Sequence, residues 1–400
     1  MAKTEIKDGV GNRYKIAIIA GESSGDLIAA KLLNQLQQKI SLDAQGVGGE
    51  NMIKRGFKTI FLMKNLSIMG YFEGIANLPL ILIRLFQTAR WIKSYNPDIL
   101  ITVDSPGFNL RLVKKLRKQQ VAFPIVQYVA PTVWAYGPER AKKFADLYDH
   151  IFSILPFEKK YFDEVHLPCT YVGHPVLEDE EIISSKEEIK KKFGFNKQDR
   201  LITITPGSRE QEIKHHLKVL LEAVSRLISQ YHGHGIYFII PTFPHLLHIY
   251  QEILCPYQFR EHILLKTDTE EKRALLYASN AAFIKSGTVA IECALLKVPM
   301  LIFYKVSKIT AWLIRKKIKI RYISILNLMA DKVIIPELIQ ENFTADNLFK
   351  EMSKLLEEGE KQVDQLNEII QKLKVDNVTK PSQIAAEVLL KILPKRDLSI

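Results

Sequence analysis

At 400 residues, 47% hydrophobic and 25% charged, the chain holds more apolar side chains than one core usually serves and too many for a disordered polymer. Its formal charge of +12 points to an anionic partner (nucleic acid, a membrane surface or a phosphorylated substrate) or simply to a lysine-rich proteome. Cys169, Cys255 and Cys293 are far apart and form no CxxC pair, which argues against a disulfide framework or structural zinc and fits a reducing cytoplasm. The polar stretch 1–13 lacks the apolar core of a secretory leader, and no apolar run reaches the ~20 residues that span a bilayer.

In chain order, strand and helix patterns alternate. The run 14–21 (YKIAIIAG) reads as a buried parallel strand and 26–38 as the helix after it. Further strands are expected at 99–104, 125–130, 151–155 and 171–172. The charged stretch 178–192 interrupts the rhythm as a linker entering a solvated helix. A second series then follows at 201–206, 236–241, 263–266, 281–285 and 300–304. Two such series predict an α/β protein of two doubly wound Rossmann-like domains with a cleft between them, ligands lying at the carboxyl ends of the strands. The expected limits are a flexible 1–13, domains at 14–185 and 186–375, and a segment 376–400 whose helix can pack back on the first domain.

The informative motifs stand where strands end. After the first strand comes GESSGD, with Glu22, Ser24, Gly25 and Asp26. Small residues there permit a tight turn with N–H groups toward a ligand; an ordinary turn capped by Ser or Asp is the other reading. In TVDSPGFN, Asp104 sits where α/β folds place catalytic carboxylates, or acts as a helix cap. In APTVWAY, Trp134 and Tyr136 either stack on a sugar or base or fill space between domains, ahead of basic Arg140, Lys142 and Lys143. TPGSR offers Ser208 and Arg209, a Gly-Ser turn and a permanently charged fork suited to phosphate. KSGTVAIEC offers Ser286, Gly287 and Thr288 to a pyrophosphate. Glu292, four residues after Thr288, is suited to the hydroxyls of a ribose.

Extended to QYVAPTVWAY, TPGSREQEI and KSGTVAIECAL and taken in order with GVGGENM, SIMGYFEG, LPFEKKYFD, YVGHP and ILNLMADKVIIPELIQE, these motifs resemble the lipid-A-disaccharide synthase family from about residue 15 to about residue 390. The resemblance implies a GT-B architecture of two Rossmann-like domains facing a cleft. It implies an enzyme that joins UDP-2,3-diacylglucosamine to 2,3-diacylglucosamine 1-phosphate (lipid X), giving the β-1,6 disaccharide 1-phosphate and UDP in lipid A assembly of Gram-negative bacteria. An α-linked donor and a β product require inversion, hence one general base. Asp104 is the first candidate, Glu22 or Asp26 the reserve, and His174 a weaker one. Leaving-group charge falls to Arg209 and to Ser286, Gly287 and Thr288, with Asn327 on the diphosphate and Glu292 on the ribose. Ser24, Gly25, Asp26, Met69 and Trp134 are expected on the acceptor side. No Asp-x-Asp follows a strand, so neither metal nor cofactor is indicated. Where the family commonly carries a Gly-Arg type pair, this chain has Asp331-Lys332.

Acylated substrates bring the enzyme to a membrane. Segments 68–91 and 305–321 (KVSKITAWLIRKKIKIR) are the candidate contacts with an anionic inner-membrane surface, the first partly buried in the core. The expected state is a cytoplasmic, peripherally associated monomer or homodimer with no nucleic-acid partner. The rival readings are another UDP-sugar transferase, a UDP-N-acetylglucosamine 2-epimerase, or a non-catalytic membrane-binding module.

Overall fold

The apolar run near the amino terminus is strand β1 (Tyr14–Ala20), whose last five residues are all buried, as a central parallel strand requires. The structure is a computed structural model and describes residues 13–63, 66, 78–179, 182–231, 235–307, 310–312, 320–376 and 378–395. Its contacts divide the chain into two units, Met1–Glu178 with Lys374–Ile400, and Asp179–Leu373.

In the first unit β1 leads through α1 (Ser23–Gln37) to β2 (Leu42–Val47), α2 (Glu50–Ile53) and β3 (Lys58–Thr59). Helix α3 (Leu78–Tyr95) precedes β4 (Ile99–Val103), which enters on the other side of β1. There follow α4 (Pro106–Lys118), β5 (Ile125–Tyr128), α5 (Val133–Tyr136), α6 (Ala141–Ala145), β6 (His150–Ser153), α7 (Lys159–Asp163) and β7 (Cys169–Tyr171). The order among the described residues is β3-β2-β1-β4-β5-β6-β7, parallel throughout.

The second unit repeats the plan. Helix α8 (Lys186–Lys192) opens on a capping box between Ser185 and Glu188. Then come β8 (Arg200–Thr205), α9 (Glu210–Gln230), β9 (Ile236–Pro241), α10 (Leu247–Leu254), β10 (Ile263–Lys266) and α11 (Thr269–Ala278). Strand β11 (Ala281–Lys285) returns to the other side of β8, followed by α12 (Val289–Leu295), β12 (Met300–Tyr304), α13 (Ile325–Ala330), β13 (Glu337–Ile339) and α14 (Ala345–Lys372). The order is β10-β9-β8-β11-β12-β13, again parallel. Strands β2, β3 and β13 carry Asp, Gln, Lys or Glu and lie toward sheet edges, which is why no apolar run announces them.

Helix α1 buries Ile28, Ala29, Leu32, Leu33 and Leu36 at helical spacing. The last helix, α15 (Pro381–Ile392), packs against it through Ala385, Ala386 and Leu389. Glu178 receives Ser382 N at 2.6 Å and Ser382 Oγ at 2.7 Å, tying the start of α15 to the first unit. Truncating the buried Leu389 to Ala removes packing worth about 2–5 kcal/mol.

The chain reverses its direction of strand addition between β1 and β4, and again between β8 and β11. The loops leaving each such pair turn to opposite sides and open a crevice at the carboxyl edge. Register makes each crevice level: Ala20 pairs with Val103, and Thr205 with Ile284. GESSGD and DSPGFN therefore leave one crevice, TPGSR and KSGT the other.

Candidate active site

At the first crevice the backbone past β4 is strained. Asp104 and Ser105 both adopt left-handed conformations, φ 49° and 45°, and Val129 past β5 has φ 72°. Such angles cost a non-glycine residue about 1–3 kcal/mol each and persist only when surroundings over-determine them. Gln127, 2% exposed, supplies much of that hold. Its Nε2 lies 3.2, 3.1 and 3.2 Å from the carbonyl oxygens of Asp104, Tyr128 and Val129, while its Oε1 accepts Thr102 Oγ1 at 2.6 Å. Asn109 Nδ2 donates to the Asp104 carbonyl at 2.7 Å. Gly21 is required by close approach, since a Cβ there would lie 2.5 Å from Ser105 Oγ. Ser24 Oγ donates to Asp104 Oδ2 at 3.1 Å. The result is a half-buried carboxylate held at the strand end by a hydroxyl and a fixed backbone.

The second crevice is built from charge. Gly207, at φ 142°, lets the loop after β8 lie under Glu212, whose Cβ and Oε2 would be 2.6 Å from a Gly207 Cβ. Glu212 Oε2 accepts Ser208 N at 3.1 Å, and Oε1 accepts Lys285 Nζ at 2.8 Å and lies 3.5 Å from Arg209 Nη1. Burial opposes the charge of Glu212, but Lys285 and then Arg209 outweigh it and hold the carboxyl below its ordinary range. One carboxylate thus joins the ends of β8 and β11 and presents two cations, with the Arg209 side chain 55% exposed. Beneath them the buried His216 ring spans the carbonyls of Pro206 (Nδ1, 2.7 Å) and Lys305 (Nε2, 3.0 Å). Burial lowers its pKa. Ser286 is half-buried, Gly287 and Thr288 are exposed, and α12 starts without a side-chain cap. Glu292, one turn into α12, lies 3.9 Å from Arg273 Nε; burial and then Asp179 raise its carboxyl, against Arg273 and Lys272.

The family model described as lipid-A-disaccharide synthetase matches residues 16–388. The lipid-A-disaccharide synthase of Rhodospirillum centenum is 35% identical over 386 residues, covering 95% of each chain. That of Rickettsia felis is 35% identical over 396 residues, covering 96% of this chain and 100% of the relative. The chain belongs to the lipid-A-disaccharide synthetase family. It is a glycosyltransferase of lipid A biosynthesis. Among solved structures it is similar to the UDP-GlcNAc 2-epimerase from Neisseria meningitidis bound to UDP-GlcNAc (TM-score 0.64, 16% identity, 94% of this chain and 100% of that one). The glycotransferase of kitacinnamycin gives a TM-score of 0.61 at 13% identity, over 96% of this chain and 100% of that one. At such identities these likenesses establish the GT-B fold of two parallel-sheet α/β domains. The epimerase resemblance ends there, because the relatives in sequence are synthases.

Not every residue singled out from the sequence of this synthetase-family chain serves a ligand. Asp26 is 2% exposed, and its carboxylate receives the amides of Gly49, Asn51 and Met52 and Asn51 Nδ2 at 2.8–3.2 Å. Four donors occupy both oxygens, so Asp26 pins the start of α2 and is corrected from reserve base and acceptor ligand to framework; Gly25 is likewise buried, against β4. Asn327 is corrected too. It is fully buried, donating to Ile335 O and Glu337 Oε1 at 2.8 Å and accepting Ile334 N and Ile335 N at 2.9 Å, with nothing left for a diphosphate. His174 is buried, its Nδ1 accepting Val176 N at 3.3 Å, which is a turn-holding role. Glu22 is exposed at the head of α1 and does not cap it, and Ser24 reaches Asp104.

Trp134 is half-buried; its Nε1 donates to Glu158 Oε1 at 3.1 Å and its ring meets Phe157 edge-on. Glu158, 1% exposed, also accepts the amides of Ile154 and Leu155, and burial pushes its carboxyl up to about 7. Asp331 takes φ 51° at the end of α13, a conformation glycine suits best and Asp tolerates, so the departure from Gly is compatible with the local backbone. Met69 and the segments 67–77, 308–309 and 313–319 lie outside the described residues. Gln127, Glu158, Glu212 and His216 were not legible as functional: the first three stand within family motifs and His216 in a helical pattern, but the partners that give each its role are backbone atoms or distant side chains.

Proposed function

We propose that this chain condenses UDP-2,3-diacylglucosamine with 2,3-diacylglucosamine 1-phosphate, inverting the donor's anomeric carbon and releasing UDP. The observation that carries the reading is the pairing of unlike crevices within one synthetase-family chain: an oriented carboxylate at β1/β4, and at β8/β11 an exposed guanidinium with an exposed Gly287-Thr288 turn. Asp104 takes the proton of the acceptor's 6-hydroxyl as that oxygen bonds to the donor C1 and the bond from C1 to the UDP oxygen breaks. Ser24 orients the carboxylate. Arg209, Lys285 and the Ser286–Thr288 loop receive the charge developing on UDP, and Glu292 accepts the ribose hydroxyls. Glu22 is the alternative base.

Contact with an anionic inner-membrane surface is supported by α3. One face of it buries Ile81, Leu85, Ala89 and Ile92, while Leu82, Ile83 and Phe86 are 41–60% exposed. Trp312, in the basic segment 305–321, is 56% exposed. Among the described residues no helix is long and apolar enough to cross a membrane; the contact proposed is peripheral.

The test is UDP release by the purified chain with both acylated substrates. Asp104→Ala is expected to lower turnover about 10²–10⁴-fold while UDP and liposome binding persist. Unchanged turnover removes Asp104 as base, and a matching loss in Glu22→Ala alone assigns the role to Glu22. Turnover of free UDP-GlcNAc regardless of acylation would favour the epimerase reading.

A further inference from the structure

A recess of about 240 Å³ begins one residue past the Asp104–Ser105 turn, lined by Pro106, Pro131, Thr132, Val133, Tyr136 and Arg140. Its walls leave the neighbouring strands β4 and β5, whose ends are level because Val103 pairs with Tyr128. Two prolines, a valine and a tyrosine face make it apolar. Thr132 precedes α5 without capping it, so its hydroxyl is not committed to the helix. Gly137, at φ 126°, turns the chain so that the Arg140 guanidinium sits 5.7 Å from the Tyr136 ring. Among the described residues Arg140 has no carboxylate within ion-pair distance, although Glu139 adjoins it in sequence; exposed Lys142 and Lys143 follow.

A half-buried guanidinium without a counter-charge at one end of an apolar recess is an incomplete ion pair. Volume limits the guest. At ~30 Å³ per water the recess holds roughly eight waters, enough for a phosphate and the edge of a sugar but too little for two acyl chains. The geometry points to a subsite for a phosphomonoester borne on an apolar or sugar body. Arg140 and the Thr132 hydroxyl take the phosphate, and the Pro106, Pro131 and Tyr136 surfaces take the attached body. This rests on the reading of the chain as a transferase with a phosphorylated acceptor, and gives the acceptor phosphate its place beside the base.

The experiment compares lipid X with its dephosphorylated form as acceptor for the full chain. Arg140→Ala is expected to raise the KM for lipid X at least tenfold with the donor KM within twofold of wild type, Arg140→Lys to fall between, and Thr132→Val to raise it by a few-fold. The dephosphorylated acceptor should not distinguish wild type from Arg140→Ala. Lys142→Ala, outside the recess, controls for net charge. Equal losses on both acceptors, no change with Arg140→Ala, or the same change with Lys142→Ala overturn the subsite. If wild-type protein releases no UDP, the transferase reading has failed and binding decides instead. Monomeric dodecyl phosphate should then bind wild type at least tenfold more tightly than dodecyl maltoside or inorganic phosphate, and lose that advantage in Arg140→Ala. Equal binding of the neutral detergent means apolar adsorption, and equal binding of inorganic phosphate means a bare anion site; either result overturns the proposal.

Discussion

The two crevices share a topology and are built by opposite means. At β1/β4 the backbone itself is distorted, through Asp104 and Ser105 with Val129 past the adjoining β5, and neutral hydrogen bonds from Gln127 and Asn109 hold it. At β8/β11 one glycine absorbs the unusual dihedral, and an ionic clamp through Glu212 ties the strand ends. The difference follows from what each displays. A cation beside a general base weakens it as a base, and among the described residues Asp104 has no cation within ion-pair distance; its side-chain partner is the Ser24 hydroxyl. On the reading proposed for β8/β11, a diphosphate needs surplus positive charge, and one carboxylate against Arg209 and Lys285 leaves that surplus while holding Lys285 at 2.8 Å.

Substitutions that damage one crevice and spare the other test this contrast. The largest effect after Asp104→Ala is expected from Arg209→Ala, about 10²–10³-fold in kcat, with partial return in Arg209→Lys; a loss confined to acceptor KM would place Arg209 outside the nucleotide site. Next is Gly21→Ala, whose methyl meets Ser105 Oγ. It should cost about 1–3 kcal/mol of stability and most of the turnover, and Ser105→Gly in the same chain, which removes both the clash and a left-handed side chain, should recover much of each. Failure of the double variant to recover would mean that the close approach does not hold the turn. Gln127→Met removes the amide shared by three carbonyls, of which Asp104 O keeps Asn109 Nδ2 and Tyr128 O keeps Asp104 N, so the cost is expected from Val129 O, at about 1–3 kcal/mol. Because the strained turn carries Asp104, kcat should fall roughly tenfold with UDP affinity unchanged, and a purely structural role would leave kcat intact in the folded fraction.

The smallest effect on turnover is expected at Glu158, where the readout is stability. Its folded pKa of about 7 lies above the ordinary 4.5, so its contribution to stability is fully present below 4.5 and is lost as pH rises through 7. Denaturant midpoints across that window should show wild type losing stability relative to Glu158→Gln by up to about 1.4 kcal/mol per pH unit. Parallel curves would show that burial does not raise this carboxyl.

Much of this molecule was legible before any coordinate. Apolar runs located most of the strands, and the motifs at their ends are those that the chain reversals bring together. That works because strand burial is periodic and local, and because a parallel sheet collects its carboxyl ends on one edge. What each polar side chain does was decided by tertiary structure. Asp26 and Asn327 have the residue types of a binding site, yet amides 23–26 residues from Asp26, and two amides, a carbonyl and a carboxylate 7–10 residues from Asn327, use them up. Gln127 and Glu212 stand within family motifs that assign them no role, and they hold the two crevices together. Hydrogen-bond partners are set by neighbours in space, so sequence order places a carboxylate at a strand end, but only packing determines whether it stays available to a substrate.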